Sequence, residues 1–253
     1  MRTWLQPSTR SRLMPILALS LFFGGFYGCG RGLKLNQRQT ISPDMLYQYY
    51  ALYRSIDESS GYVSVQANVS FQDPISRAAI QPDSTDRITV NGTTMTRSDS
   101  SYIDPSTSKS VSTTNFSAIL AAAASNYTFV WTSNGVSYTN IFSIHPDAAT
   151  VVPPTISKAA GLTLDFSSFV ADSTDVNLHL YDSKGANVAN ANEAFTGSDG
   201  SVNLSASQLS GADVGAMSLV INEMYTEALQ VPSATSGTAQ IVSSLNYTVT
   251  IAP

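Results

Sequence analysis

The 253-residue chain carries 13 Lys and Arg against 18 Asp and Glu, a net charge of −5, and only 12% of its residues are charged while 43% are hydrophobic. That length holds one large domain or two of roughly 100 residues. An acidic chain without clustered Lys and Arg has no electrostatic footprint for displacing counterions from phosphates, so nucleic acid is not expected as a partner. The abundance of Ser, Thr, Val, Tyr and Asn suits the faces of β-sheets better than helices.

Arg2, Arg10 and Arg12 precede an apolar stretch from Leu13 to Tyr27, which ends among Gly24, Gly25 and Gly28. This is the layout of a secretory signal, short for a membrane-spanning helix of about 20 apolar residues. The only cysteine, Cys29, stands at its end. Phe26-Tyr27-Gly28-Cys29 resembles a bacterial lipobox, which prefers Leu where Phe26 stands and a small residue where Tyr27 stands; Gly28 and Cys29 fit. The resemblance implies cleavage before Cys29, acylation of its thiol and a membrane partner held through lipid. Gly30 in place of Asp implies, by the same resemblance, the outer membrane of a bacterial envelope. Ordinary secretion and an uncleaved signal anchor are the alternatives. Residues 1–28 therefore read as a signal peptide and 29–42 as a polar tether. No thiol remains for disulfides, so apolar cores must carry stability.

The first unit, 43–146, opens on an ambiguous segment. Ser42-Pro43 suits a helix start over Asp44–Arg54, but Tyr47, Tyr49, Tyr50 and Tyr53 favour a strand from Tyr47. A turn at Asp57–Gly61 follows. Val63, Val65, Ala67, Val69 and Phe71 then alternate with polar residues, the period of a half-buried strand. Asn91-Gly92 and Asn134-Gly135 each sit between apolar alternations and predict type I′ hairpins, whose two central residues need positive φ. The second of these makes Tyr127–Ile144 the last hairpin of the unit.

Residues 147–154, with Pro153-Pro154, read as a linker, and 155–253 as the second unit. Turns are expected at Asp182–Gly185 and Gly197–Gly200, and a closing strand at Asn246–Ile251. The two units look duplicated. Asp83-Ser84-Thr85-Asp86 recurs as Asp172-Ser173-Thr174-Asp175, each before an alternating run. Tyr127–Trp131 parallels Met217–Ile221, and Tyr138-Thr139-Asn140 parallels Tyr225-Thr226-Glu227. Short alternating strands with turns every eight to twelve residues or so predict all-β sandwiches in series. From Cys29 to Ile251 the chain resembles uncharacterised bacterial lipoproteins with tandem immunoglobulin-like domains. The features that carry this are Phe26–Cys29, Val63–Phe71, Ile88–Gly92 and Thr128–Asn140. The resemblance implies two tandem immunoglobulin-like β-sandwich domains and brings no catalytic residue.

Chemistry is sparse. The only histidines are His145, in the linker region, and His179, on a strand opposite Leu178 and Leu180; neither adjoins a nucleophile motif. The acids cluster at turns, where Asp caps backbone amides. Asp83/Asp86 and Asp172/Asp175 supply two carboxylates each, too few for a calcium loop of EF-hand type. No catalytic residue, metal site or cofactor is therefore expected. Tyr127, Phe129 and Trp131 share one strand face and read as core. Tyr138 and Tyr225, near expected hairpins, are the candidate ligand contacts. The expected function is a non-enzymatic envelope lipoprotein presenting a binding or spacer surface to a protein or glycan. The alternative is a polysaccharide-acting enzyme or a carbohydrate-binding accessory module.

Overall fold

The computed structural model describes residues 46–253 except 77, 106, 107, 109, 121–123, 145–150, 168–173, 196–198 and 232–236. Cys29, the signal segment, the tether, His145 and Asp172 lie outside the described residues. The described chain is all-β, with one four-residue helix, α1 (Ala206–Leu209), closed by a capping box between Ser205 and Gln208.

The expected ambiguity at the start resolves as a strand. β1 (Tyr47–Asp57) runs through the segment that also fitted a helix. It pairs antiparallel with β2 (Tyr62–Gln72) across a turn in which Asp57 Oδ1 accepts from the Ser59 amide at 3.0 Å. β2 buries Val65, Ala67, Val69 and Phe71, the face expected from alternation. β3 (Arg87–Val90) and β4 (Thr93–Thr94) are joined by Asn91 and Gly92 at φ 47° and 78°. β5 (Thr96–Ile103) and β6 (Ser110–Leu120) pair antiparallel. β7 (Asn126–Ser133) and β8 (Val136–Ser143) form the second hairpin, with Asn134 and Gly135 at φ 51° and 78°. Both turns have the positive φ values that the Asn-Gly pairs predicted.

β9 (Thr155–Ser157), β10 (Leu162–Ser167), β11 (Thr174–Tyr181), β12 (Asn187–Phe195), β13 (Asp199–Leu204), β14 (Gly215–Ala228) and β15 (Gly237–Ala252) complete the chain. Asp182 Oδ1 accepts from the Lys184 and Ala186 amides and fixes the β11–β12 turn as expected. Three expectations need correction. The closing strand begins at Gly237, not Asn246. Asp199 and Gly200, expected in a turn, open β13. Residues 217–227, expected to echo a hairpin, lie on the single 14-residue strand β14. The unbroken alternation Met217, Leu219, Ile221, Glu223, Tyr225 on one face sustains that strand past the point where the repeat placed a turn.

A nine-stranded sheet runs β12-β11-β14-β15-β1-β2-β6-β5, with β9 also on β15. Its centre is the parallel pair β1·β15, in register from Gln48↔Gly237 to Asp57↔Asn246. β9 continues along the same strand at Thr250–Ala252. Two smaller sheets, β4-β3-β7-β8 and β10-β13, pack on one face of it. Along β15 the buried positions Ala239 and Ile241 belong to the first core and Leu245, Val249 and Ile251 to the second. One strand face thus serves both cores. Between them Glu223, Ser243 and Arg54 form a polar row across β14, β15 and β1, and the Arg54 guanidinium donates to Ser243 Oγ at 2.9 Å.

The stretch 147–154 separates two lengths of chain but not two sheets. Tyr225, Leu229, Ala239 and Ile241, all from the second length, complete the first core. The β14–β15 hairpin also crosses onto the edge of β8. Gln230 accepts from the Ile141 amide at 2.7 Å and donates to the Ile141 carbonyl at 2.9 Å, as a neighbouring strand would. Buried Asn140 accepts from the Gln230 and Val231 amides at 2.8 and 3.0 Å and donates to the Val231 carbonyl at 2.9 Å.

Candidate functional site

The two candidate ligand contacts lie apart from each other in role. Tyr225 is 6% exposed and its hydroxyl donates to the Ser143 carbonyl at 2.6 Å. It is a core residue that ties β14 to the edge of β8, which corrects the expectation of exposure beside a hairpin. Tyr138 is half-buried, with its ring 5.3 Å from that of Trp131. Tyr127, Phe129 and Trp131 are buried together as expected. His179 projects from the side of β11 opposite Leu178 and Leu180; burial pushes its imidazole down, and Nδ1 lies 3.1 Å from the Asn187 amide.

Asp86 and Asp175, which close the two Asp-Ser-Thr-Asp segments, are not equivalent. Asp86 precedes β3 and is 2% exposed, whereas Asp175 lies inside β11 on the face turned away from the core. Asp83 Oδ1 accepts from the Thr85 amide and hydroxyl, both at 2.9 Å. The carbonyls of Pro82 and Asp83 accept from Arg97 at 3.2 and 2.6 Å. A guanidinium therefore already stands where a cation would use those carbonyls. Among the described residues no three His, Cys, Asp or Glu side chains gather to hold a metal.

A different surface emerges at the junction strand. The smaller sheets occupy one face of the nine-stranded sheet, and β1 turns Tyr47, Tyr49 and Tyr53 to the other. Tyr53 lies in a row with Met224, Val242, Gln66 and Ile119, and Tyr49 in a row with Thr238, Ser70 and Asn115. The Tyr49 hydroxyl donates to Gln240 Oε1, and Gln240 Nε2 approaches Met224 Sδ at 2.8 Å. Burial, reinforced by Tyr53 and Tyr47, pushes the Tyr49 hydroxyl up to about 12, and burial raises Tyr53 as well. Both rings thus stay neutral. Along β15, β1, β2 and β6 this face brings amides, hydroxyls and aromatic rings, with Asp57 at its margin the only acid. Such a surface can bind by stacking and neutral hydrogen bonds. The sequence signalled it only as tyrosine density, because deciding which face those tyrosines take requires knowing that β1 joins β15.

No protein-family model matches the chain, and no curated protein matches it.

Proposed function

We propose that the chain is a non-enzymatic, lipid-anchored envelope protein whose two immunoglobulin-like sandwiches form one stiff spacer and binding unit. The observation that carries this reading is the sheet shared through β1·β15, which joins the two cores by backbone hydrogen bonds instead of a flexible linker. The strand order supports the immunoglobulin-like part. β1-β2-β6-β5 against β4-β3-β7-β8 corresponds to A-B-E-D against C-F-G with one added edge strand. In the second sandwich β10-β13 stands for B-E, and β12-β11-β14-β15 for the C-F-G sheet with its added strand. The anchor rests on Cys29 and the apolar segment before it. Labelled palmitate should enter the wild-type protein and not Cys29→Ser; equal labelling of both, or release of the wild type into the medium, would end the anchored reading.

The Tyr49–Tyr53 surface favours a second reading, an accessory module for a neutral glycan. Paired Tyr49→Ala and Tyr53→Ala substitutions should then remove retention on envelope polysaccharide in affinity electrophoresis while leaving the melting temperature within a few degrees. Unchanged retention leaves the spacer reading alone.

A further inference from the structure

Trp131 lies against Phe71, with ring centroids 4.8 Å apart, and its indole N–H donates to Asp86 Oδ2 at 3.2 Å. Asp86 is 2% exposed and its other oxygen, Oδ1, has no hydrogen-bond partner. Ser133, buried on the same face of β7 as Trp131, brings its hydroxyl to the carboxylate; both of these donors favour the charged form, but desolvation by burial outweighs them. A carboxylate only accepts, whereas a carboxylic acid donates once and still accepts. The ionised side chain therefore leaves Oδ1 buried without a donor, which is costly. The neutral side chain keeps the Trp131 bond through Oδ2 and removes the buried charge at Oδ1.

The surrounding charges do not reverse that balance. Asp83, in the same loop, opposes a second negative charge, while Arg97 of β5 favours it. Arg97 is already engaged by the Pro82 and Asp83 carbonyls and by Asp99 at 3.1 Å. Arg87 of β3 donates to the carbonyls of Ser84 and Asp86, not to the carboxylate. Tyr138 of β8 covers Trp131 with a neutral ring. Desolvation leads, and it holds the Asp86 carboxyl above the ordinary aspartate range.

We propose that Asp86 is a proton-binding site built into the first sandwich, which takes up a proton as the surroundings acidify and fastens the 82–86 loop to β7. A group that holds its proton more tightly folded than unfolded adds stability as pH falls through its folded midpoint, fully so below its unfolded value. Asp57, Asp99 and Asp182 act in the opposite sense. Hydrogen bonds from Ser59, Thr114 and the Ala186 amide, respectively, hold them below the ordinary range, and their contribution is lost in acid.

Thermal melts of wild type and Asp86→Asn from about pH 8 down to about pH 4, near the ordinary aspartate value, separate these effects. The amide imitates the neutral acid, accepting from Trp131 without carrying a charge. The variant should melt above wild type at neutral pH, and the gap should close on acidification. A gap that does not change with pH, or a variant that melts below wild type at neutral pH, overturns the proposal. Independently of any substitution, the side-chain carboxyl ¹³C shift of Asp86 in the wild-type protein should titrate above the ordinary aspartate value. A midpoint at or below that value overturns it equally.

Discussion

Trp131 and Asn140 hold the first sandwich by different means. The indole fills the centre of the core beside Phe71 and Tyr138. Truncating such a side chain removes about 3–5 kcal/mol from a stability of about 5–15 kcal/mol. Trp131→Ala should therefore melt far below wild type or fail to fold, as read by circular dichroism. Asn140 acts through hydrogen bonds, satisfying two amides and a carbonyl of the 230–231 segment from a fully buried position. Asn140→Ala leaves those groups without their partner, at about 1–3 kcal/mol each for any that stay buried. Its denaturant midpoint should fall clearly, and hydrogen exchange should speed at Gln230 and Val231 before it does in β2. Exchange that rises uniformly over the first sandwich would argue against a local clamp.

At the level of elements, Gly237 sets how closely β15 approaches β1. A methyl group there would overlap the Gln48 carbonyl and crowd Leu229, and such overpacking costs about 1–3 kcal/mol. Gly237→Ala should destabilise the protein, whereas Gly211→Ala, which meets open space, should not; equal denaturant midpoints for the two would discount the close approach. The local elements were legible in the sequence because alternation and Asn-Gly turns are local signals. Val65–Phe71 and Tyr127–Trp131 bury the faces their period implied, and the backbone at Asn91 and Asn134 has the sign of φ their turns require. The pairing of β1 with β15 was not legible, since nothing in either segment's pattern names a partner so distant. Tyr225 was misplaced for the same reason. The apparent repeat pairs it with a hairpin residue, whereas the length of β14 is set by cross-strand partners. The core residues Tyr127, Phe129 and Trp131 were legible, whereas the tyrosine face of β1 was not.

Taken whole, the molecule has two cores on one sheet, so its halves should not separate cleanly. The segment 155–253 alone keeps the second core but leaves Tyr225, Leu229, Ala239 and Ile241 without the rest of theirs. It also bares the β15 edge that β1 covers, and an unpaired edge beside apolar surface invites association. That fragment should aggregate or sediment as oligomers, whereas the intact protein should melt with coincident transitions in both halves. A monomeric, cooperatively folding fragment would show that β1 is dispensable to it. The same pairing governs the order of assembly. Arg54 and the Ser243 it bonds are 189 residues apart, and contacts of such separation form late because a long loop must close first. During synthesis β1 and β2 emerge long before β15 exists, so the first core stays short of four of its members until nearly the last described strand has left the ribosome. Until Gly237–Asn246 arrives, the β1 edge that it covers stays unpaired, the one moment at which that edge is open to another strand.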